Sequence, residues 1–226
     1  MIMNCYDRDG DMGWHSLRIV TQRGLLIALT LGCLSGCYVR PKQSPLTGSF
    51  YLNNDKELAT IGRVVLVELD NHSEYPEISA EVSEILYAAL QKTQLFGITT
   101  VDQSDPLWRG LQLELDTTYS VEEMIKIRKT LKSDAVLSGT VTEYRPYPYL
   151  KLGLRLRMVD LADGELIWGI EHLWDATDLK SKTRVSHYRK EYLGSVSSES
   201  ELLEMSHKEF MKFAAFEIGN TLLGQP

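Results

Sequence analysis

Three cysteines, five histidines and a pair of carboxylates are the residues of this 226-residue chain whose chemistry could define a function. The histidines are His15, His72, His172, His187 and His207. None stands in His-Glu-x-x-His or in another spacing that sets two metal ligands on one face. His172 falls at an inward position of an expected strand, where a hydrogen-bonded core imidazole is the commoner role. Glu68 and Asp70 close the first strongly apolar stretch, the place where active-site carboxylates often sit in α/β folds. Helix capping or turn chemistry is the simpler reading of that pair. The chain has no Gly-x-Ser-x-Gly elbow, no P-loop and no Gly-x-Gly-x-x-Gly fingerprint, and Ser138-Gly139-Thr140 belongs to a strand interior. The expectation is a protein that is not an enzyme, with no metal and no dissociable cofactor.

Of Cys5, Cys33 and Cys37, the last is set apart by its context. Arg18 and Arg23 precede an apolar run that begins Gly24-Leu25-Leu26-Ile27 and closes Leu31-Gly32-Cys33-Leu34-Ser35-Gly36-Cys37. A basic flank, a short apolar stretch and small residues at the end form a secretory signal. The run falls short of the roughly 20 apolar residues that cross a bilayer. Leu34-Ser35-Gly36-Cys37 resembles the bacterial lipobox. That resemblance implies a diacylglyceryl group on the Cys37 thiol, cleavage between Gly36 and Cys37, and an N-acyl chain on the new terminus. A buried apolar helix ending in a chance cysteine is the alternative, and the charge, run length and small residues all speak against it.

Cleavage would leave a chain of about 190 residues, enough for one domain with a proper core. Asp7, Asp9 and Asp11 are unusual in a signal peptide, and a start at Met12 in place of Met1 would give an ordinary one. The leader carries three basic residues (Arg8, Arg18, Arg23) against those three aspartates, so the formal charge of −7 survives its removal. An acidic balance argues against nucleic acid as a partner. With Cys5 and Cys33 gone and Cys37 acylated, the folded part would hold no disulfide, thiol nucleophile or cysteine metal site. Tyr38 occupies the place where an aspartate would favour inner-membrane retention, which leans towards the outer membrane. The division expected is a signal peptide over 1–36, a lipidated terminus and flexible tether over 37–57, and an α/β domain over 58–226. The tether rests on Pro41, Pro45, Gly48 and Asn53-Asn54-Asp55, with no helical or strand period.

Residues 61–69, with Val64, Val65, Leu66 and Val67 on both faces, form an apolar run without alternation that suits a central strand covered on both sides. Asp70-Asn71-His72-Ser73 turns the chain, and after Pro76 the residues Ile78, Val82, Ile85, Leu86 and Ala89 mark one helix face. A short strand over 96–101 and a short helix over 107–115 follow. Ser120 and Glu123 form a capping box for a helix to Leu131 that buries Val121, Met124, Ile125 and Leu131. Residues 135–144 then read as a strand.

Leu150, Leu152, Leu154, Leu156 and Met158 alternate with Lys151, Gly153, Arg155 and Arg157, giving a strand with one buried and one polar face. Leu166, Trp168, Ile170 and Trp174 repeat the period. A three-residue loop, Ala162-Asp163-Gly164, keeps Met158 opposite Trp168 and Leu156 opposite Ile170, sets Arg155 across from Glu171, and requires Gly164 at positive φ. Residues 180–190 are polar, basic and without period. A final helix begins at Ser198, and in it Phe210, Phe213, Ala214, Glu217, Ile218 and Leu222 recur at helical spacing, so most of one face is apolar. The order β-α-β-α-β-β-β-α indicates an α/β domain with a mixed sheet sandwiched by helices.

Two surfaces could meet an envelope protein partner. Lys151, Arg155 and Arg157 form either a solvated face or a contact for an acidic patch. In Tyr144-Arg145-Pro146-Tyr147-Pro148-Tyr149, two prolines stiffen a loop whose tyrosines, Tyr144, Tyr147 and Tyr149, are residues enriched at interfaces. Loop packing is the plainer role.

Two segments also carry a family resemblance. Leu131-Lys132-Ser133-Asp134-Ala135-Val136-Leu137-Ser138-Gly139-Thr140-Val141-Thr142-Glu143-Tyr144 resembles the helix, Ala-Asp-hydrophobic, Gly-x-Val segment of the curli-export (CsgG-like) lipoproteins. Residues 154–168, with Val159-Asp160-Leu161-Ala162-Asp163-Gly164-Glu165-Leu166-Ile167-Trp168, are similar to that family's Arg-Leu-Val-Asp-x-x-Thr-Gly-Glu-hydrophobic-Trp hairpin. The same fold is shared in broad terms by the TolB N-terminal domain, the Pel-polysaccharide lipoprotein and lipoprotein activators of penicillin-binding proteins. The resemblance implies a periplasm-facing, outer-membrane-anchored lipoprotein. Its role would be a non-catalytic scaffold or accessory subunit for export of polysaccharide or protein, with a homo-oligomeric ring as one arrangement. Activation of a cell-wall synthase is the alternative, and an envelope hydrolase using Glu68 or Asp70 a more distant one. The chain departs from the curli exporter in its hairpins. Residues 145–148 are too few, and 180–196 too irregular, for the 9–11 alternating residues that a membrane strand needs.

Overall fold

β2 (Arg63–Val67) is the strand around which the other elements assemble. Val64 and Leu66 face one side of it and Val65 and Val67 the other, all at 2% exposure or less. Such a strand needs cover on both faces, and it has it. The structure, a computed structural model, describes residues 49–111, 119–194 and 205–223. The leader, Cys37 and the expected helix start at Ser198 lie outside these residues, as does part of the 107–115 segment.

β2 pairs in parallel with β4 (Gly97–Val101) and β5 (Ala135–Arg145). The sheet continues antiparallel through β6 (Lys151–Asp160), β7 (Leu166–Asp175) and β1 (Ser49–Leu52), in the order β1-β7-β6-β5-β2-β4. The two-residue β3 (Asp70–Asn71) lies parallel beside β5. The helices are α1 (Ile78–Thr93), α2 (Pro106–Arg109), α3 (Val121–Leu131), α4 (Leu179–Tyr188) and α5 (His207–Leu222). This is the mixed α/β sheet expected, and among the described residues it does not close into a barrel.

α1 and α5 cover one face, over a core that includes Leu66, Leu86, Leu154, Trp168, Trp174 and Phe210. α3, with Trp108 and Tyr119, covers the other face over Val65, Val67 and Val136. Further along β6 and β7 that second face carries exposed Arg155 and Glu171. Gly139 makes the β5–β6 approach possible, because a Cβ there would sit 2.2 Å from the Arg155 carbonyl oxygen. At the end of β2, the Leu69 N–H donates to Ser83 Oγ of α1 at 3.0 Å.

Several elements differ from the sequence reading. Ser49–Leu52, read as tether, is an edge strand on β7. Four residues are too few to show a period. Asp70-Asn71, read as turn, forms ladder pairs with Thr140 and Val141 before the chain bends. Residues 180–190, read as irregular, form α4 and a π-helical turn, Arg189–Leu193. The inward line of α4 is Ser181, Arg184 and Val185, so polar residues occupy its buried face and hide the helical period. In α3 the capping box is present, but the buried residues are Met124 and Ile127, while Val121 and Ile125 are 63% and 46% exposed. The helix rests on a narrow patch through one i, i+3 line, and its neighbouring apolar residues fall outside the contact.

The β6–β7 hairpin keeps the expected pairs Met158–Trp168, Leu156–Ile170 and Arg155–Glu171, and Gly164 has φ 79°. The loop itself is longer than expected. Asp160 N–H donates to the Glu165 carbonyl and Gly164 N–H to the Asp160 carbonyl, which leaves four residues in the turn. A four-residue loop alone would pair odd with even positions. A bulge between Val159–Leu166 and Met158–Trp168 restores apolar opposite apolar. It also buries Ile167 fully and leaves Leu166 at 40% exposure, the reverse of the strict alternation expected.

Candidate functional site

The β5–β6 loop presents the tyrosines singled out above. Tyr144, the last residue but one of β5, packs edge-on against Tyr75 at 5.2 Å. Partial burial pushes its hydroxyl pKa up. Tyr147 and Tyr149 stand at 82% and 53% exposure, on either side of Pro148, with a cis Tyr147–Pro148 bond. Loop packing therefore accounts for Tyr144, while Tyr147 and Tyr149 remain available to a partner.

The basic face is less uniform than its spacing suggests. Lys151 pairs with Asp175 at 2.8 Å and Arg155 with Glu171 at 3.0 Å. Arg155 holds the Glu171 carboxyl below its ordinary range. Arg157 donates to Ser138 Oγ at 3.4 Å and lies 5.7 Å from the Tyr119 ring centre. Lys151 shares the loop end with the tyrosines, whereas Arg157 lies six residues away, about 20 Å along the strand. These cations serve cross-strand and cross-layer pairing, and they do not gather into one patch.

The two carboxylates have different partners. Asp70 accepts from the Asn71 N–H at 2.9 Å and faces His72 at 3.3 Å on the surface. Glu68 accepts from the Gln103 N–H at 3.2 Å and lies beside a shallow cavity of about 210 Å³ with Ser83, Tyr87 and Asp102. His172 is half-buried and stacks edge-on against Trp174 at 4.6 Å. Burial, and secondarily the Arg184 charge, lower its pKa. Among the described residues no group of three His, Cys, Asp or Glu side chains is placed to hold a metal ion.

The most elaborate side-chain chemistry lies where the sequence reading did not look. Glu217 of α5 is 8% exposed and accepts from Arg184 Nε and from Trp174 Nε1, both at 2.7 Å. Burial pushes its pKa up, against the opposing pull of Arg184. Next to it Trp168 Nε1 donates to Thr221 Oγ1 at 3.0 Å. These bonds tie α4, α5 and β7 together. They place Tyr188 and, through the π-helical turn, Tyr192 against Phe216, with ring centres 5.0 and 4.5 Å away.

That aromatic wall borders a groove of about 730 Å³ between α1 and α5, with Ala88, Ala89 and Leu223 also lining it. Lys92, Lys208 and Lys212 stand on its rim. The signal was available in the sequence as Lys208, Lys212, Phe216 and Asn220, one stripe at i, i+4 spacing. The other wall comes from α1, more than a hundred residues upstream.

No protein-family model and no curated protein sequence matches the chain. Solved structures do resemble it in fold. The PelC dodecamer from Paraburkholderia phytofirmans is 16% identical, with a TM-score of 0.42 over 60% of this chain and 88% of that one. Lipoprotein GNA1162 from Neisseria meningitidis is 15% identical, with a TM-score of 0.43 over 59% of this chain and 99% of that one. The LpoB C-terminal domain from Escherichia coli is 22% identical, with a TM-score of 0.36 over 50% of this chain and 83% of that one. At such scores the likenesses carry no argument about function.

Proposed function

We propose that this chain is a lipoprotein anchored through Cys37 to the outer membrane and facing the periplasm. There it acts as a non-catalytic scaffold or accessory subunit of an envelope export or assembly machine. The observation that carries this reading is the apolar run ending Leu34-Ser35-Gly36-Cys37, followed by eleven mostly polar, proline-containing residues before β1. Fully extended, eleven residues reach about 40 Å, which keeps the domain close to the bilayer surface. The exposed Tyr147 and Tyr149 support a binding role. A curli-export type of assembly, a Pel-type ring and a synthase adaptor are the forms this role would take.

The test has two stages. Cells fed an alkyne-tagged palmitate are expected to label the chain, and Cys37→Ala is expected to abolish both the label and membrane fractionation. Unchanged labelling of the variant would overturn the anchor. The native mass of the detergent-extracted protein, corrected for bound detergent, then separates a closed oligomer, expected of an export collar, from a monomer, expected of an adaptor.

A further inference from the structure

We infer that the groove between α1 and α5 receives an acidic amphipathic helix of a protein partner. The two helices run side by side in the same direction. His207 faces Glu81 at 4.0 Å near their starts, and Thr93 lies 3.4 Å from where a Cβ on Gly219 would sit near their ends. This correspondence sets the level of each rim lysine. Lys208 and Lys212 belong to the first half of the groove and Lys92 to its far end, a spread of about 15 Å at 1.5 Å per residue.

Spacing selects the occupant. An anionic lipid offers one headgroup and would need its cations gathered at one end of an apolar slot. Here three cations stand along both walls, separated by one to two helical turns. A helix with carboxylates at i and i+4 on the flanks of an apolar stripe matches that arrangement. The floor suits it too, since Ala88 and Ala89 have the small side chains that allow a third helix to approach to about 8–10 Å. Phe216, Tyr188 and Tyr192 supply the aromatic anchors that dominate such contacts. Among the described residues none of the three lysines is in an ion pair, and Glu84 is the single carboxylate in the lining. In a chain of net charge −7 this is a local reversal of sign.

The inference rests on the scaffold reading only for the existence of a protein partner. It is tested on the full chain in its native cells, with a photoreactive phenylalanine placed at the exposed position 88 or, for comparison, at position 147. The expected result at position 88 is a cross-linked partner segment that, on sequencing, is acidic and has one apolar helical face. K92E/K208E/K212E should lower that yield at least tenfold while keeping the wild-type circular dichroism. Glu→Lys changes in the captured segment should restore it. Capture of lipid, of a second copy of this chain or of a segment without acidic residues would overturn the inference. So would no capture, or a yield indifferent to the charge reversal. If position 88 is silent and position 147 captures a protein, the groove assignment fails and the scaffold reading stands. If neither captures a protein, both fail.

Discussion

Replacing Glu217 by alanine removes the acceptor that both Arg184 and Trp174 use. The pair is closed from solvent, with side-chain exposures of 6% for Arg184 and 10% for Glu217, and Trp174 is fully buried. Removing one partner of such a pair takes the carboxylate away from a buried guanidinium, at a cost of about 3–5 kcal/mol. For a domain of this size each kcal/mol moves the thermal midpoint by about 2–4 °C, so E217A should melt roughly 6–20 °C lower. Urea unfolding of the chain, followed by circular dichroism, measures the free energy directly. The double variant R184M/E217L removes both charges together and should lose only about 1–3 kcal/mol, the cost of the orphaned indole N–H. A loss below about 1 kcal/mol for E217A would refute the reasoning, as would a double variant no more stable than E217A. Because the same bond holds α4 on α5, E217A should also loosen the Tyr188–Phe216 contact and weaken whatever the groove binds.

Three further outcomes follow from geometry already described. Gly139→Ala forces a Cβ against the Arg155 carbonyl at 2.2 Å and Leu156 Cα at 2.9 Å, and should cost about 3 kcal/mol or more in the same urea assay. Ser120→Ala breaks the capping box of α3, where Glu123 N–H donates to Ser120 Oγ at 3.3 Å, and should cost about 1 kcal/mol. His172 has a lowered pKa in the fold, so between its ordinary 6.5 and that lower value the unfolded chain binds the extra proton. Stability should therefore be full above pH 6.5 and fall as pH drops from there to the folded value, at up to about 1.4 kcal/mol per pH unit. His172→Gln should flatten that slope in urea midpoints measured across the range.

The elements legible in the sequence are those whose partners lie close by or whose pattern is local. The β6–β7 register follows from period-two apolar residues and one glycine, because cross-strand pairing constrains both strands at once. β2 is legible because burial on two faces leaves no polar residue among Val64, Val65, Leu66 and Val67. α4 is not, because its buried residues include Ser181 and Arg184, and the Glu217 that pairs with Arg184 comes 33 residues later. The bulge at Leu166 escapes for a related reason, since loop length and bulge compensate each other and the pattern records only their net parity. Of the candidate site, the exposed Tyr147 and Tyr149 could be read from the prolines that stiffen their loop. The groove could not, because it exists only once α1 and α5 lie side by side.

The edge strand β1 sets a timetable for the chain. Its ladder joins Ser49 to Glu171 and Leu52 to Trp168, so this first of the described strands has no β7 partner until β7 has been synthesised. At about 5–20 residues per second, the intervening stretch of about 115 residues takes roughly 6–23 s to appear. Such long-range pairing is also intrinsically slow once its partner exists. The sheet therefore closes last at the edge that β1 forms. During that interval Phe50 and Tyr51 travel without their β7 partners.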